Sequence, residues 1–161
     1  GALVEGDGVV LFQQALNELC QYLAQAIIRD AEGATKFVTL DVQGAPDEET
    51  AKAIAYTVAR SPLVKTALFA SDPNWGRILA AIGRSPVKQL DISKLSLWLG
   101  ETQLIGAGEP VATYTEQAGQ TEMGKEEITI RIDLNDGEAA ATVWTSDLSH
   151  DYVTINAEYR S

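Results

Sequence analysis

The chain has 161 residues, 45% of them hydrophobic and 22% charged, with 13 Gly and 5 Pro, which fits one folded domain with its own core and excludes the disordered and collagen-like classes. Twelve basic against 23 acidic residues give a net charge of −11, which repels phosphate backbones and anionic lipid and argues against nucleic acid or a membrane surface as partner. A single cysteine, Cys20, and a single histidine, His150, exclude an internal disulfide and Cys-rich or multi-histidine zinc sites. No apolar run has membrane-spanning length and Gly1-Ala2-Leu3-Val4-Glu5 lacks a basic leader, so the expected compartment is the cytoplasm.

Over residues 9–28 the apolar residues Phe12, Leu16, Leu19, Leu23 and Ile27 recur every three or four positions, which predicts a helix with one buried side. Glu5 and Asp7 suit its positive end and Gly33 its stop. Val38, Leu40 and Val42 then alternate with Thr39 and Asp41 as in a strand. The turn at Gly44-Ala45-Pro46-Asp47 leads to a helix capped by Asp47, with inner face Ala51, Ile54, Ala55 and Val58, ended by Ser61-Pro62. Residues 64–70 read as a second strand. Asp72-Pro73-Asn74-Trp75 opens a further helix, with Asp72 expected as its cap and Ile78, Leu79 and Ile82 as its buried face.

Residues 95–99 and 102–105 around Gly100-Glu101 read as a hairpin, closed by a Gly-rich turn over 106–110. One short helix is expected within 111–125. Ile128, Ile130 and Ile132 alternate with polar residues; the turn Asn135-Asp136-Gly137 leads to a strand through Val143-Trp144-Thr145, and residues 152–159 read as a last strand. The sum is an α+β domain, helices gathered on a mostly antiparallel mixed sheet.

Candidate chemistry is sparse. Neither Gly6-Asp7-Gly8 nor Gly106-Ala107-Gly108 makes a dinucleotide fingerprint. Cys20, beside the apolar stripe, reads as a buried structural thiol, and His150, between Asp147 and Asp151, as a hydrogen-bonded turn residue rather than a base. Glu48-Glu49 is the acidic first turn of a helix and Glu126-Glu127 a solvated pair. Asn74-Trp75-Gly76-Arg77 could hold an anion on its helix terminus, but a capped helix with Trp75 in the core is the better reading. One residue breaks a local rule: Glu32, with Asp30, puts negative charge at the negative end of the first helix, where a base is preferred. It is therefore a candidate ligand for a cation such as a substrate ammonium.

Three stretches carry a resemblance that spans nearly the whole chain: Ala31-Glu32-Gly33-Ala34-Thr35-Lys36, residues 71–81 (Ser71-Asp72-Pro73-Asn74-Trp75-Gly76-Arg77-Ile78-Leu79-Ala80-Ala81), and residues 147–159 from Asp147-Leu148-Ser149-His150-Asp151 to Tyr159. With Phe37-Val38-Thr39 and Ser61-Pro62-Leu63-Val64-Lys65-Thr66-Ala67, they resemble the β chain of ornithine acetyltransferase, the glutamate N-acetyltransferase of arginine biosynthesis. The resemblance implies a precursor that cuts itself and exposes an N-terminal threonine nucleophile whose own α-amine is the base. Acetyl passes from N-acetylornithine to that threonine and then to glutamate, with acetyl-coenzyme A as donor in some members and no metal or prosthetic group.

No threonine precedes Thr35, so the nucleophile segment and the α chain, which in the family stabilises the oxyanion, are expected outside these residues. The resemblance divides the chain into residues 1–35, a helix and loop of the active-site layer, and 36–161, an α+β C-terminal domain. It carries over substrate binding onto Glu32, Asn156 and the terminal Ser161, with no catalytic residue and no metal ligand in the chain. On a strand, Asn156 and Ser161 would point to opposite faces, so the chain must bend after residue 159 if both touch one ligand. The expected partner is the α chain of the same precursor in an αβ hetero-oligomer, and the chain alone is expected to be inactive. Competing readings are an amino-acid-binding regulatory module without catalysis and a structural fragment that exposes one face of its first helix.

Overall fold

The computed structural model describes residues 6–159, as an α+β fold of six helices and one six-stranded mixed sheet. In chain order the elements are α1 (Asp7–Arg29), β1 (Phe37–Ala45), α2 (Glu48–Ala59), α3 (Pro62–Phe69), α4 (Trp75–Gly83), a 3₁₀ turn (Ile92–Lys94), β2 (Ser96–Leu99), β3 (Thr102–Gly106), β4 (Glu109–Pro110), α5 (Glu116–Met123), β5 (Glu127–Asp133), β6 (Ala139–Ser146) and α6 (His150–Glu158). Glu5 lies outside the described residues.

The sheet order is β4-β3-β2-β5-β1-β6. Among the described residues the only parallel pair is β1 with β5; every other pair is antiparallel. Register aligns Val38, Leu40 and Val42 with Ile128, Ile130 and Ile132, and the last two with Leu99 and Leu97. This apolar row is buried and forms the centre of the core. Side chains two apart share a sheet face, so the alternation read from the sequence places the whole row on one side. Against it pack Ala51, Ile54, Ala55 and Val58 of α2, the four residues of the expected face. Asp47 caps that helix by accepting from the Thr50 amide at 2.7 Å, which also holds its carboxyl below the usual range.

Several expectations are corrected. Residues 64–69 belong to helix α3, with Ala70 as its C-cap: Pro62 stops α2 but also occupies the first turn of the next helix, where no N–H is needed, and the buried Val64, Ala67 and Leu68 follow the helical i, i+3, i+4 spacing. The α4 cap is Asn74, whose Oδ1 accepts from the Arg77 amide at 3.2 Å; Asp72 instead accepts from the Asn74 side chain at 3.0 Å. The turn at 44–47 is tighter than expected, because β1 continues through Ala45. After β5 the chain crosses past β1 to reach β6, since Leu134 and Asp136 still donate to the carbonyls of Gln43 and Gly44.

Two further corrections concern α1 and the last element. Phe12, Leu16, Leu19, Leu23 and Ile27 form the expected helix but are 40–71% exposed, so the stripe is present and uncovered. Cys20 is exposed with them. Residues 150–158 are a helix, not a strand, and none of them is buried. Its start is set by Ser149, whose Oγ accepts from the Tyr152 amide at 3.3 Å, with Asp151 in the first turn.

Candidate functional site

The loop after α1 and the start of α6 are brought together from opposite ends of the sequence by the β1–β6 pairing, which sets Phe37 opposite Ser146. Asp147 follows β6 directly. The residue is 3% exposed and its carboxylate accepts three hydrogen bonds: the Thr35 amide (2.8 Å) and the Lys36 amide (3.0 Å) on Oδ1, and the Thr35 hydroxyl (2.6 Å) on Oδ2. A buried carboxylate needs such donors, because an unpaired charge away from water is costly. Two residues on, the Ser149 hydroxyl donates to the Gly33 carbonyl at 2.5 Å. Gly33 has φ +66°, and a Cβ there would stand 2.6 Å from the Tyr152 amide nitrogen, so this contact requires glycine both for conformation and for space.

Two lysines flank the Asp147 carboxylate. Lys36 donates from Nζ to the Ser71 hydroxyl at 2.7 Å and to the Met123 carbonyl. Lys65 donates to the Thr145 hydroxyl at 3.1 Å and to the Ser146 carbonyl. Burial pushes both amines below the usual lysine value, while the Asp147 carboxylate pulls them back up. Lys36 thus ties the start of β1 to the α3–α4 junction, where the non-glycine Ser71 has φ +53°, and to the end of α5.

On this frame Glu32 and Asn156 meet. The Asn156 amide Nδ2 donates to Glu32 Oε2 at 2.9 Å and to the Tyr152 carbonyl, one turn earlier in α6, at 2.9 Å. Both residues are exposed. Among the described residues, Glu32 Oε1 and Asn156 Oδ1 have no hydrogen-bond donor, leaving two adjacent acceptor groups of the kind that an ammonium satisfies. Ser161 lies outside the described residues. The helical form of α6 removes the opposite-face conflict expected of a strand at Asn156.

Beside the same loop opens a cleft of about 200 Å³ lined by Arg29, Lys36, Glu126 and Glu127 among others. Arg29 stacks over the Phe37 ring at 3.8 Å and pairs with Glu127 at 2.7 Å. Glu127 is therefore paired, not merely solvated, and the pairing lowers its carboxyl from the usual value. His150 opens α6 and sets its ring edge-on to Phe69, centroids 5.6 Å apart. Asp147, Thr35 and Ser149 are legible in sequence only as members of longer motifs; the one local signal is a Ser three residues before Tyr152, the spacing of a helix cap. Among the described residues no group of His, Cys, Asp and Glu has metal-binding geometry, and no helix is long and apolar enough to cross a membrane.

Similarity to known proteins points one way. The ArgJ family model matches residues 2–161. The arginine biosynthesis bifunctional protein ArgJ of Pseudomonas fluorescens (strain Pf0-1) is 56% identical over 157 residues, covering 98% of this chain and 39% of that protein. The protein of the same name from Neisseria meningitidis serogroup A is 55% identical over 149 residues, covering 92% and 37%. The crystal structure of the Bacillus halodurans protein of that name matches with a TM-score of 0.91 at 33% identity, over 98% of this chain and 74% of that one. The chain thus spans about two fifths of the length of the curated relatives it matches.

Proposed function

The chain belongs to the ArgJ family, and on that basis we propose that it is the substrate-gripping part of an acetyltransferase of arginine biosynthesis, moving acetyl from N2-acetyl-L-ornithine to L-glutamate. The hydroxyl of a threonine in the remainder of the protein attacks the acetyl carbonyl, its proton passing to that residue's own α-amine; the carbon–nitrogen bond breaks and ornithine leaves with the proton. The α-amine of glutamate then attacks the acetyl ester and restores the hydroxyl. Some members of the resembled family also take acetyl from acetyl-coenzyme A. No group of this chain takes part in bond-making.

Its share is positioning: Glu32, Asn156 and Ser161 bind the amino-acid substrate, with Glu32 taking its ammonium group. The observation that carries this reading is the 2.9 Å contact between Asn156 Nδ2 and Glu32 Oε2, two residues 124 apart in sequence that the family resemblance independently assigns to one ligand. The negative charge at the negative end of α1 supports it too: a carboxylate disfavoured by the dipole is explained by a cationic ligand. The uncovered stripe of α1 is the surface on which the α chain of the same precursor packs.

In the full-length protein, Glu32→Gln is expected to raise KM for N2-acetyl-L-ornithine about tenfold or more, the loss of one charge-assisted hydrogen bond of roughly 1.5–3 kcal/mol. An unchanged KM removes Glu32 from the site. The 161-residue chain incubated alone with N2-acetyl-L-ornithine is expected to gain no acetyl group by intact mass spectrometry, and a stoichiometric adduct would refute the division of labour.

A further inference from the structure

Glu32 and Asn156 sit on two exposed segments that pack poorly by themselves. Every residue of α6 is exposed, and Glu32 lies in a loop after a helix whose apolar face is uncovered. Hydrogen bonds join the two segments, and three of them are made by one buried carboxylate. Resting on the substrate-binding reading above, we propose that Asp147 is a positioning residue for that site: its carboxylate clamps the loop bearing Glu32 to the segment that launches α6 and Asn156.

The geometry carries this in three steps. Asp147 takes both oxygens' bonds from Thr35 and Lys36, three residues or four beyond Glu32, so it fixes the loop's path where it enters β1. It is itself fixed, because Ser146 before it is paired across the sheet with Phe37 and Leu148 after it donates to the Lys65 carbonyl at 3.2 Å. Ser149 then closes the clamp with a second link, donating to Gly33 while accepting from Tyr152, the residue whose carbonyl in turn receives the Asn156 amide. Two separate links therefore tie the Glu32 loop to the segment that launches α6, one made by Asp147 with Thr35 and Lys36 and one by Ser149 with Gly33, and the second continues through Tyr152 to Asn156. The flanking ammonium groups of Lys36 and Lys65 favour a negative charge there, so that a carboxylate, and not only an amide, is suited to the position.

Such a residue acts on substrate only by setting Glu32 against Asn156, which gives a readout that general structural damage does not share. In the full-length protein, Thr35→Val removes one of the three bonds on Asp147 and leaves the two backbone bonds; KM for N2-acetyl-L-ornithine is expected to rise about threefold with kcat changed less than about twofold. Asp147→Ala is expected to raise KM at least about tenfold. Combined with Glu32→Gln, it is expected to give a KM no more than about twice that of Glu32→Gln alone, because without the Glu32 carboxylate its placement against Asn156 no longer matters. Multiplication of the two single effects overturns the proposal and leaves the Glu32 reading standing. If Glu32→Gln alone has no effect, both fall together. If Asp147→Ala does not fold, the Thr35→Val single and its double with Glu32→Gln decide by the same rule, and an unchanged KM in Thr35→Val overturns it.

Discussion

α1 and α2 carry the same kind of sequence signal and end in opposite surroundings. In α2 four small or branched residues on one side are fully enclosed by the sheet; in α1 five larger ones, from Phe12 to Ile27, stay mostly in water. Apolar periodicity thus states that a face is meant to be covered without stating what covers it. α2 is covered by β1, which precedes it by a segment of only two residues, and by β6, which the sheet brings beside it from far along the chain. α1 touches β6 without burying its apolar stripe, and the loop that follows it is tied by hydrogen bonds to Asp147. The body of the fold is held by burial; the junction that carries Glu32 is held by hydrogen bonds.

The largest expected effect tests that division directly. In the isolated chain, Leu40→Ala opens a cavity at the centre of the apolar row and is expected to cost about 2–5 kcal/mol in urea unfolding. Leu19→Ala on α1, with the same atoms deleted, is expected to change stability by less than about 0.5 kcal/mol. Equal losses would mean that the α1 face is covered in the isolated chain, by a second copy for instance, and sedimentation against concentration would detect that.

A smaller effect sharpens the junction. Gly33→Ala forces a side chain into the left-handed region and against the Tyr152 amide, an expected cost of about 1–2 kcal/mol. The loss should be local. Hydrogen exchange is expected to accelerate in α6 while the amides of β1 and β5 keep their protection. Equal acceleration in all three would mean that the junction unfolds with the body, and the contrast drawn between them would fail.

Legibility in the sequence follows the same line. The alternation of Val38, Leu40, Val42 and of Ile128, Ile130, Ile132, the cap at Asp47 and the hairpin of β2 and β3 are readable because each is decided within a few residues. Residues 64–70 and 152–159 read as strands, and all but the last of each fold as helices: in both, β-branched and aromatic side chains mimic strand composition, and the deciding signals are a Pro at a first turn and a Ser at a cap. The fates of α1 and Cys20 depend on surfaces outside their own segments, which no local pattern encodes. Glu32 and Asn156 come from resemblance and a misplaced charge. Asp147, whose donors lie 112 and 111 residues away, has no local signal to give.

The smallest effect concerns pH and separates body from junction by sign. Tyr114 packs in the body, its hydroxyl donating to Glu116 at 3.1 Å. Burial, then that hydrogen bond and the nearby carboxylates, push its ionisation from 10.0 up to about 12. The native state therefore favours the neutral phenol: this stabilisation is complete below pH 10, where the unfolded tyrosine is also neutral, and is lost as pH rises toward 12. Lys36 and Lys65 at the junction act the other way. Burial sets their native ionisation below the ordinary 10.5, so the unfolded chain binds more protons between the two values and stability rises with pH across that interval. Tyr114→Phe removes the falling contribution and keeps the ring. Its melting temperature is expected to lie slightly below that of the parent at neutral pH, from the lost hydrogen bond, and to fall less steeply above pH 10. Lys65→Met is expected to do the reverse and steepen the fall. Parallel alkaline slopes for all three proteins would show that neither group differs in ionisation between folded and unfolded chain, and the electrostatic contrast between body and junction would be withdrawn.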